Sequence, residues 1–260
     1  MNIEKLENLK QNISNLENLI VAFSGGVDSS FLSKVASDLL GKKFLAITID
    51  TMYMSRREIN EAINFAKKYK INHKIVKIKN IKSIENNPKN RCYLCKKEIF
   101  LTLLNKACEL GFSNIADGTN KDDLNEYRPG LKVIKELGIL SPLKEFSKLE
   151  IREFSKILNL ETYNKPSSPC LLTRMPHDYK FSTIEINSIE NIENLLKKSG
   201  YKEVRARFDG KDIKIEMPYN QMAVFIQDRN FKNIIKSINN FIENGQILLD
   251  LKGMRGEILF

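Results

Sequence analysis

The chain has 260 residues, 42% hydrophobic and 28% charged, with 42 Lys and Arg against 32 Asp and Glu for a formal charge of +10. That length holds one large domain or two small ones, and that composition fills a core beneath a charged surface. No run approaches the roughly 18 uninterrupted apolar residues of a membrane span. The first twenty residues mix acids and bases without an apolar signal core, so a cytoplasmic protein with no membrane partner is expected.

Apolar residues at Ile3, Leu6, Leu9, Ile13 and Leu16 recur at helical spacing. The apolar run Leu19–Phe23 ends in Ser24-Gly25-Gly26, and a helix is predicted from Ser29 to Leu40, closed by Gly41. Strand, turn and helix in that order open a βαβ unit. Further strands are predicted at Phe44–Ile49, His73–Ile78 and Ser113–Ala116, with helices at Ser55–Tyr69 and Cys95–Leu110 between them. The stretch from Lys79 to Tyr93 has no clear period and reads as loop. Strands alternating with helices imply a parallel sheet covered on both faces, with its ligand beyond the C-terminal ends of the strands. Ser24–Gly26, Asp50 and Asp117-Gly118 all fall at such ends.

After a helix at Lys148–Leu158 comes the Pro/Ser stretch Lys165–Cys170, and the pattern changes. A helix at Thr183–Lys198 precedes two strands, Val204–Phe208 and Ile213–Met217, around the hairpin signal Asp209-Gly210. More helix is predicted to Glu243, then a strand at Gln246–Leu251. The expected division is a first α/β domain over residues 1–170 and a small α+β domain over residues 180–260.

Ser24-Gly-Gly-Val-Asp-Ser-Ser30 follows a buried strand and opens a helix. Glycines allow a tight turn that brings N–H groups up to an anion, and the helix N-terminus adds its own. Asp28 makes sense beside phosphates if Mg²⁺ accompanies them. The loop lacks the Gly-Lys-Ser/Thr ending of a Walker A sequence. It resembles the SGG-x-DS signature of PP-loop pyrophosphatases. That resemblance implies the adenine nucleotide alpha hydrolase-like fold, with ATP and Mg²⁺ held by Ala22, Ser24, Gly25, Gly26, Asp28, Ser29 and Ser30, together with Gly118, Thr119 and Asp122. It also implies cleavage between the α- and β-phosphates, with AMP left on the substrate and pyrophosphate released.

Three further segments, Asp117 to Gly130, Pro169-Cys-Leu-Leu-Thr-Arg174 and Arg205-Ala-Arg207, make the chain similar to LarE-type sulfur transferases. Those enzymes thiolate a pyridinium-3,5-biscarboxylate mononucleotide in nickel-pincer cofactor synthesis. The resemblance implies a small anionic substrate gripped by Arg174, Arg205 and Arg207, and a symmetric homo-oligomer. Forked guanidinium donors suit a ligand with a phosphate and two carboxylates.

Cys92 and Cys95 form a C-x-x-C pair able to converge on a soft metal, and a zinc ribbon would need a second such pair. With Cys170 they make three thiolates. That number suits a [4Fe–4S] cluster with one open iron, because such clusters normally take four cysteines. Sulfide or another sulfur donor would sit at the open iron, as in PP-loop sulfur transferases with three cysteines, which this chain resembles. Three alternatives stay open. Cys170 can surrender its own sulfur, as in LarE-type enzymes that carry only that cysteine; the pair can be structural or redox-active; and the substrate can be tRNA. The positive charge favours phosphate-bearing partners, but no RNA-binding signature accompanies it, so nucleic acid is not the expected partner. Cys108 shares a predicted helical face with Phe100 and Leu104 and is expected in the core, and His177 is expected in a surface loop.

Overall fold

In the computed structural model, which describes residues 3–126, 128–242 and 245–254, four short strands form a parallel sheet. They are β1 (Leu19–Ala22), β2 (Phe44–Asp50), β3 (His73–Lys77) and β4 (Ile115–Ala116), in the order β3-β2-β1-β4. Leu140 extends the sheet beyond β4: its amide donates to Ile115 O and its carbonyl accepts from Asp117 N, both at 2.9 Å. Alternation decides which residue faces which layer. Leu19, Val21, Phe44 and Ala46 pack on one side with Phe31, Phe65 and Phe154, while Ile20, Leu45 and Ile47 pack on the other with Phe100, Leu103 and Val133. The central strands are therefore apolar throughout, as a sheet covered on both faces requires.

Helices α1 (Ile3–Ser14), α2 (Val27–Leu40), α3 (Arg56–Lys68) and α7 (Lys148–Ile157) supply the first layer. The second comes from α4 (Arg91–Leu110) and α6 (Gly130–Glu136), and α5 (Lys121–Leu124) is a single turn in the loop after β4. Gly41 ends α2 at φ 53° and ψ −117°, a conformation open to glycine and strained for other residues.

The boundaries differ from expectation in several places, two of which bear on the site. Helix α4 begins at Arg91, a turn before Cys95, with the amides of Tyr93 and Leu94 both donating to Asn90 O. Asn90 caps it through backbone alone, so no side-chain cap marks the start. The segment from Asp117 to Gly130 contains α5, whose Asn120 makes a reciprocal capping box with Asp123.

Contacts divide the chain into two units, residues 1–84 with 90–168, and residues 85–89 with 169–260. The second unit has β5 (Arg205–Phe208) antiparallel to β6 (Ile213–Glu216), with β7 (Ile247–Leu249) parallel to β6. Around them lie α8 (Thr183–Lys198), α9 (Tyr219–Ile226) and α10 (Phe231–Asn239). The helix predicted to run to Glu243 is thus two helices, the second ending at Asn239, and Glu243 lies outside the described residues. Residues 85–89 belong to this unit because Asn87, fully buried, donates from Nδ2 to the carbonyls of Leu172, Met175 and Pro176. The α/β class holds, with a parallel sheet and a second, smaller sheet. Among the described residues no helix is long and apolar enough to cross a membrane.

Candidate active site

The loop between β1 and α2 is shaped by two close approaches. Gly25 has φ 70°, and a Cβ there would stand 2.9 Å from Ala62 Cβ on α3. Gly118, just past β4, lies so near the start of α2 that a Cβ would stand 3.0 Å from Ser29 N. Inside the loop, Ser29 Oγ accepts from Ser24 N at 3.2 Å and lies 3.0 Å from Ser24 Oγ. Gly26 is the N-cap of α2, and no side chain caps that first turn. Its amides are therefore open to an anion.

A cavity of about 510 Å³ opens beside this loop. Ala22, Ser24, Asp28, Ser29, Gly118 and Thr119 line it, with Ile99, Phe100 and Leu131 giving an apolar wall. Cys92 lines it as well. A second cavity of about 420 Å³ shares Ser24, Asp28, Asp123 and Arg128 with the first and adds Gly26, Asp122, Lys148, Arg152 and Lys165. Ser30 is fully buried and lines neither.

Charges around the loop are tightly partnered. Asp28 pairs with Lys148 and accepts from Asn120 Nδ2 at 3.2 Å. Asp117 accepts from Thr119 N, Thr119 Oγ1, Ser141 Oγ and Lys96 Nζ, the last at 3.1 Å. Lys165 Nζ donates to Gly25 O at 3.0 Å while bridging Glu58 and Glu61 at 2.7 and 2.8 Å, tying the glycine turn to α3. Burial pushes the Asp123 carboxyl up, against the Asn120 amide and Arg128, which favour its charge. At the end of β2, Asp50 pairs with Arg56 at 2.6 Å.

Sequence reasoning missed Lys96, Lys148 and Lys165. Lys148 had a signal, since it opens a helix behind the Ser147–Glu150 capping box. Lys165 had none beyond its place beside the Pro/Ser stretch.

Cys92 and Cys95 sit three residues apart in the first two turns of α4, a spacing that makes residues neighbours on a helix surface. Cys170 belongs to the second unit, as the N-cap of the short 3₁₀ turn Leu171–Arg174. Among the described residues no group of three or more metal-ligating side chains is gathered. Cys108 corrects the expectation of a core position: it is exposed, because Phe100, Leu103 and Ala107 form the buried stripe of α4. Cys108→Ser is accordingly expected to shift stability by less than about 0.5 kcal/mol. Denaturant unfolding of the two proteins measures this, and a loss above that value would restore the core position. His177 is exposed, as expected.

Arg174, Arg205 and Arg207 of the second unit form one cluster with two buried carboxylates, Glu193 and Glu216. Arg174 is 5% exposed and bonds Glu193 through Nε at 2.8 Å, with Nη1 donating to Pro169 O and Thr173 Oγ1. Arg207 pairs with Glu216 and donates to Thr173 O at 2.7 Å. Arg205, half-buried, has no ion pair among the described residues. Burial, with the guanidiniums of Arg174 and Arg207 nearby, pushes its own pKa down, while Glu216 and Glu193 oppose this.

Residues 3–103 match the family model of NAD synthase. An uncharacterised protein of Synechocystis sp. is 38% identical over 96% of this chain and 94% of its own length. Another from Methanocaldococcus jannaschii is 36% identical over 92% and 91%. The pyridinium-3,5-bisthiocarboxylic acid mononucleotide synthase of Lactiplantibacillus plantarum is 29% identical over 94% of this chain and 89% of its own. The chain belongs to the LarE-type family of PP-loop proteins. A LarE-type protein is an ATP-utilising enzyme, and the loop from Ser24 to Ser30 carries the motif that the PP-loop shares across its superfamily. The NAD synthase match ends within α4. Asp117 to Gly130, Cys170 and the arginines of β5 lie beyond it, in the part matched by the full-length relatives.

Proposed function

We propose that this LarE-type chain is an ATP-dependent sulfur transferase acting on pyridinium-3,5-biscarboxylate mononucleotide. A substrate carboxylate oxygen attacks the α-phosphorus of ATP and pyrophosphate leaves. A sulfur nucleophile then attacks the acyl-adenylate carbon and AMP departs with the oxygen. The observation that carries the reading is Cys92 lining the same cavity as Ala22, Ser24 and Gly118. A thiol at the cavity of the phosphate loop suits a site where activation and sulfur delivery meet at one carbon.

The chain's own groups divide the work. The open amides of α2, with Ser24 and Ser29, take phosphate oxygens. Mg²⁺ keeps several waters and needs only one or two carboxylates beside the phosphates, so Asp28 and Asp123 fit it without a third acid. Ile99, Phe100 and Leu131 offer the apolar wall that a nucleotide ring needs. Arg205 meets the substrate phosphate, with Arg207 and Arg174 holding the strand and turn around it.

In this reading a [4Fe–4S] cluster would take Cys92, Cys95 and Cys170 as its three protein ligands. Bound there, the cluster would supply a site for sulfide as sulfur donor.

Pyrophosphate release is the test. It should depend on the pyridinium mononucleotide; dependence on tRNA instead, or on neither, would replace the substrate assignment. Cys92→Ser should keep pyrophosphate release within about twofold while thiolated product falls at least about 100-fold. Equal loss of both would make Cys92 a wall of the nucleotide site and nothing more. A polypeptide lighter by one H₂S after turnover would transfer the donor role to Cys170 itself.

A further inference from the structure

Asp28 and Asp123 are each paired with a base near the start of α2, and the base of the second pair, Arg128, also meets Glu126 at 2.9 Å. Asp28 pairs with Lys148, and Asp123 pairs with Arg128 at 2.7 Å. Asn120 joins the halves: its Nδ2 donates to Asp28 at 3.2 Å and its amide donates to Asp123 Oδ2 at 3.2 Å. Its Oδ1 accepts from the amides of Asp122 and Asp123, which fixes the amide group that links the two acids. All four residues of the two pairs line the second cavity, whose further cations are Arg152 and Lys165.

Lys148 differs from the other bases in how it is held. Its amide donates to Asp122 Oδ2 at 2.8 Å, and it opens α7 beside the Ser147–Glu150 box, so its backbone is anchored from both sides. Its side chain is 37% exposed and no carboxylate but Asp28 pairs with it among the described residues. Arg152 is spent on the carbonyls of Tyr163 and Lys165, and Lys165 on Glu58, Glu61 and Gly25 O. The ammonium of Lys148 is thus the cation with an anchored base, a long stem and a single exchangeable partner.

That partner is the acid of the loop motif. An ammonium in contact with Asp28 occupies the oxygen that a divalent cation would take, and two cations at one carboxylate oxygen repel each other. Resting on the ATP–Mg²⁺ reading above, we propose that Lys148 is a place-holder for the metal. It neutralises Asp28 while the loop is empty. When metal and triphosphate arrive together, it is displaced onto the pyrophosphate oxygens in the second cavity. The exchange keeps the acids at the loop from repelling an incoming anion and supplies a cation at the moment the leaving group develops its charge. Lys148 acts as a positioning residue for Asp28 before binding and as an anion contact after it.

The place-holder role makes two bindings move in opposite directions. Mn²⁺ titrated into nucleotide-free Lys148→Met, followed by paramagnetic resonance, should bind about fivefold more tightly than to wild type, since an internal competitor is gone. Inorganic pyrophosphate in the presence of Mg²⁺, measured by calorimetry, should bind about tenfold more weakly, since a charged contact is gone. Lys148→Arg should stay near wild type in both. A variant weakened for both ligands shows a scaffold role and overturns the proposal, as does one changed in neither. Wild type failing to bind magnesium pyrophosphate at all would instead remove the phosphate-loop chemistry on which the proposal rests. Thermal melting of Lys148→Met guards against misfolding, and Lys148→Gln repeats both titrations if that variant melts early.

Discussion

Gly25→Val is expected to cost the protein its grip on magnesium pyrophosphate, by about 100-fold or more, which corresponds to about 2.7 kcal/mol. Two effects act on the same atom. Gly25 has φ 70°, a conformation that a β-branched residue adopts only with strain of about 1–2 kcal/mol. Its Cβ would also lie 2.9 Å from Ala62 Cβ and 3.1 Å from Ala62 Cα, and a helix backbone cannot step aside as a lysine tip can. Relief requires the loop to lift from α3. That breaks the bond from Lys165 to Gly25 O and misdirects the amides of Gly26 and of the first turn of α2. Gly41→Ala is the control. It likewise places a Cβ at positive φ, 53°, but there the added atom meets nothing within 4 Å. It should lower stability by about 1–3 kcal/mol and leave pyrophosphate binding unchanged. Calorimetric titration of pyrophosphate with both variants decides the matter, and Gly25→Val binding within threefold of wild type would show that the loop does not hold the anion.

What the sequence disclosed followed from local rules. β1 and β2 were legible because a strand buried on both faces is an uninterrupted apolar run, and α8 because Ser182 and Glu185 stand at capping-box spacing. The loop from Ser24 to Ser30 was legible because its motif includes Gly25, which stands at φ 70° against Ala62 where a side chain does not fit. The start of α4 was hidden, since Asn90 caps through its backbone and gives no side-chain signal. Cys108 was misplaced by choosing Leu104 rather than Leu103 as the centre of the apolar stripe, a rotation of one residue that turns a thiol from core to solvent.

The pairings of the sites lay beyond local reading for a different reason. Lys148 meets Asp28 across 120 residues and Lys165 meets the Gly25 carbonyl across 140. No periodicity reports such contacts; they exist only once the sheet has brought the ends of its strands together. The same holds in the second unit, where alternation put Arg205 and Arg207 on one face of a strand but said nothing of their carboxylate neighbours. Those neighbours distinguish the three arginines: Arg174 and Arg207 are engaged by Glu193 and Glu216, and Arg205 has no ion pair among the described residues.

Arg174→Met should therefore destabilise the second unit by about 3–5 kcal/mol, because it strands a buried charge. Glu193 is 4% exposed and would keep only Lys197, at 3.2 Å, and the Ala206 amide as partners. Arg174→Lys would recover part of the charge but not the fork that reaches Glu193, Pro169 O and Thr173 Oγ1 together. Removing both charges as Arg174→Met with Glu193→Met should cost less than the single change, since no unpaired ion remains. Acid supplies a second signature. Burial would raise the Glu193 carboxyl, but the hydrogen bond and charge of Arg174, with Lys197 and the Ala206 amide, hold it below its ordinary range. A carboxyl lowered in the folded state stabilises above its unfolded pKa, and that contribution is lost as pH falls through the folded value. In Arg174→Met burial has less opposition, so Glu193 takes up its proton at higher pH and the deficit relative to wild type should shrink as pH is lowered from 7 toward 4. Hydrogen exchange of the α8 amides in the full chain reads this unit by itself. A single variant losing less than about 1 kcal/mol, or a double variant no better than the single, would mean that Arg174 is not holding Glu193. Arg205→Met, in β5, should leave that exchange unchanged while weakening the mononucleotide, which separates the arginine that binds from the arginine that builds.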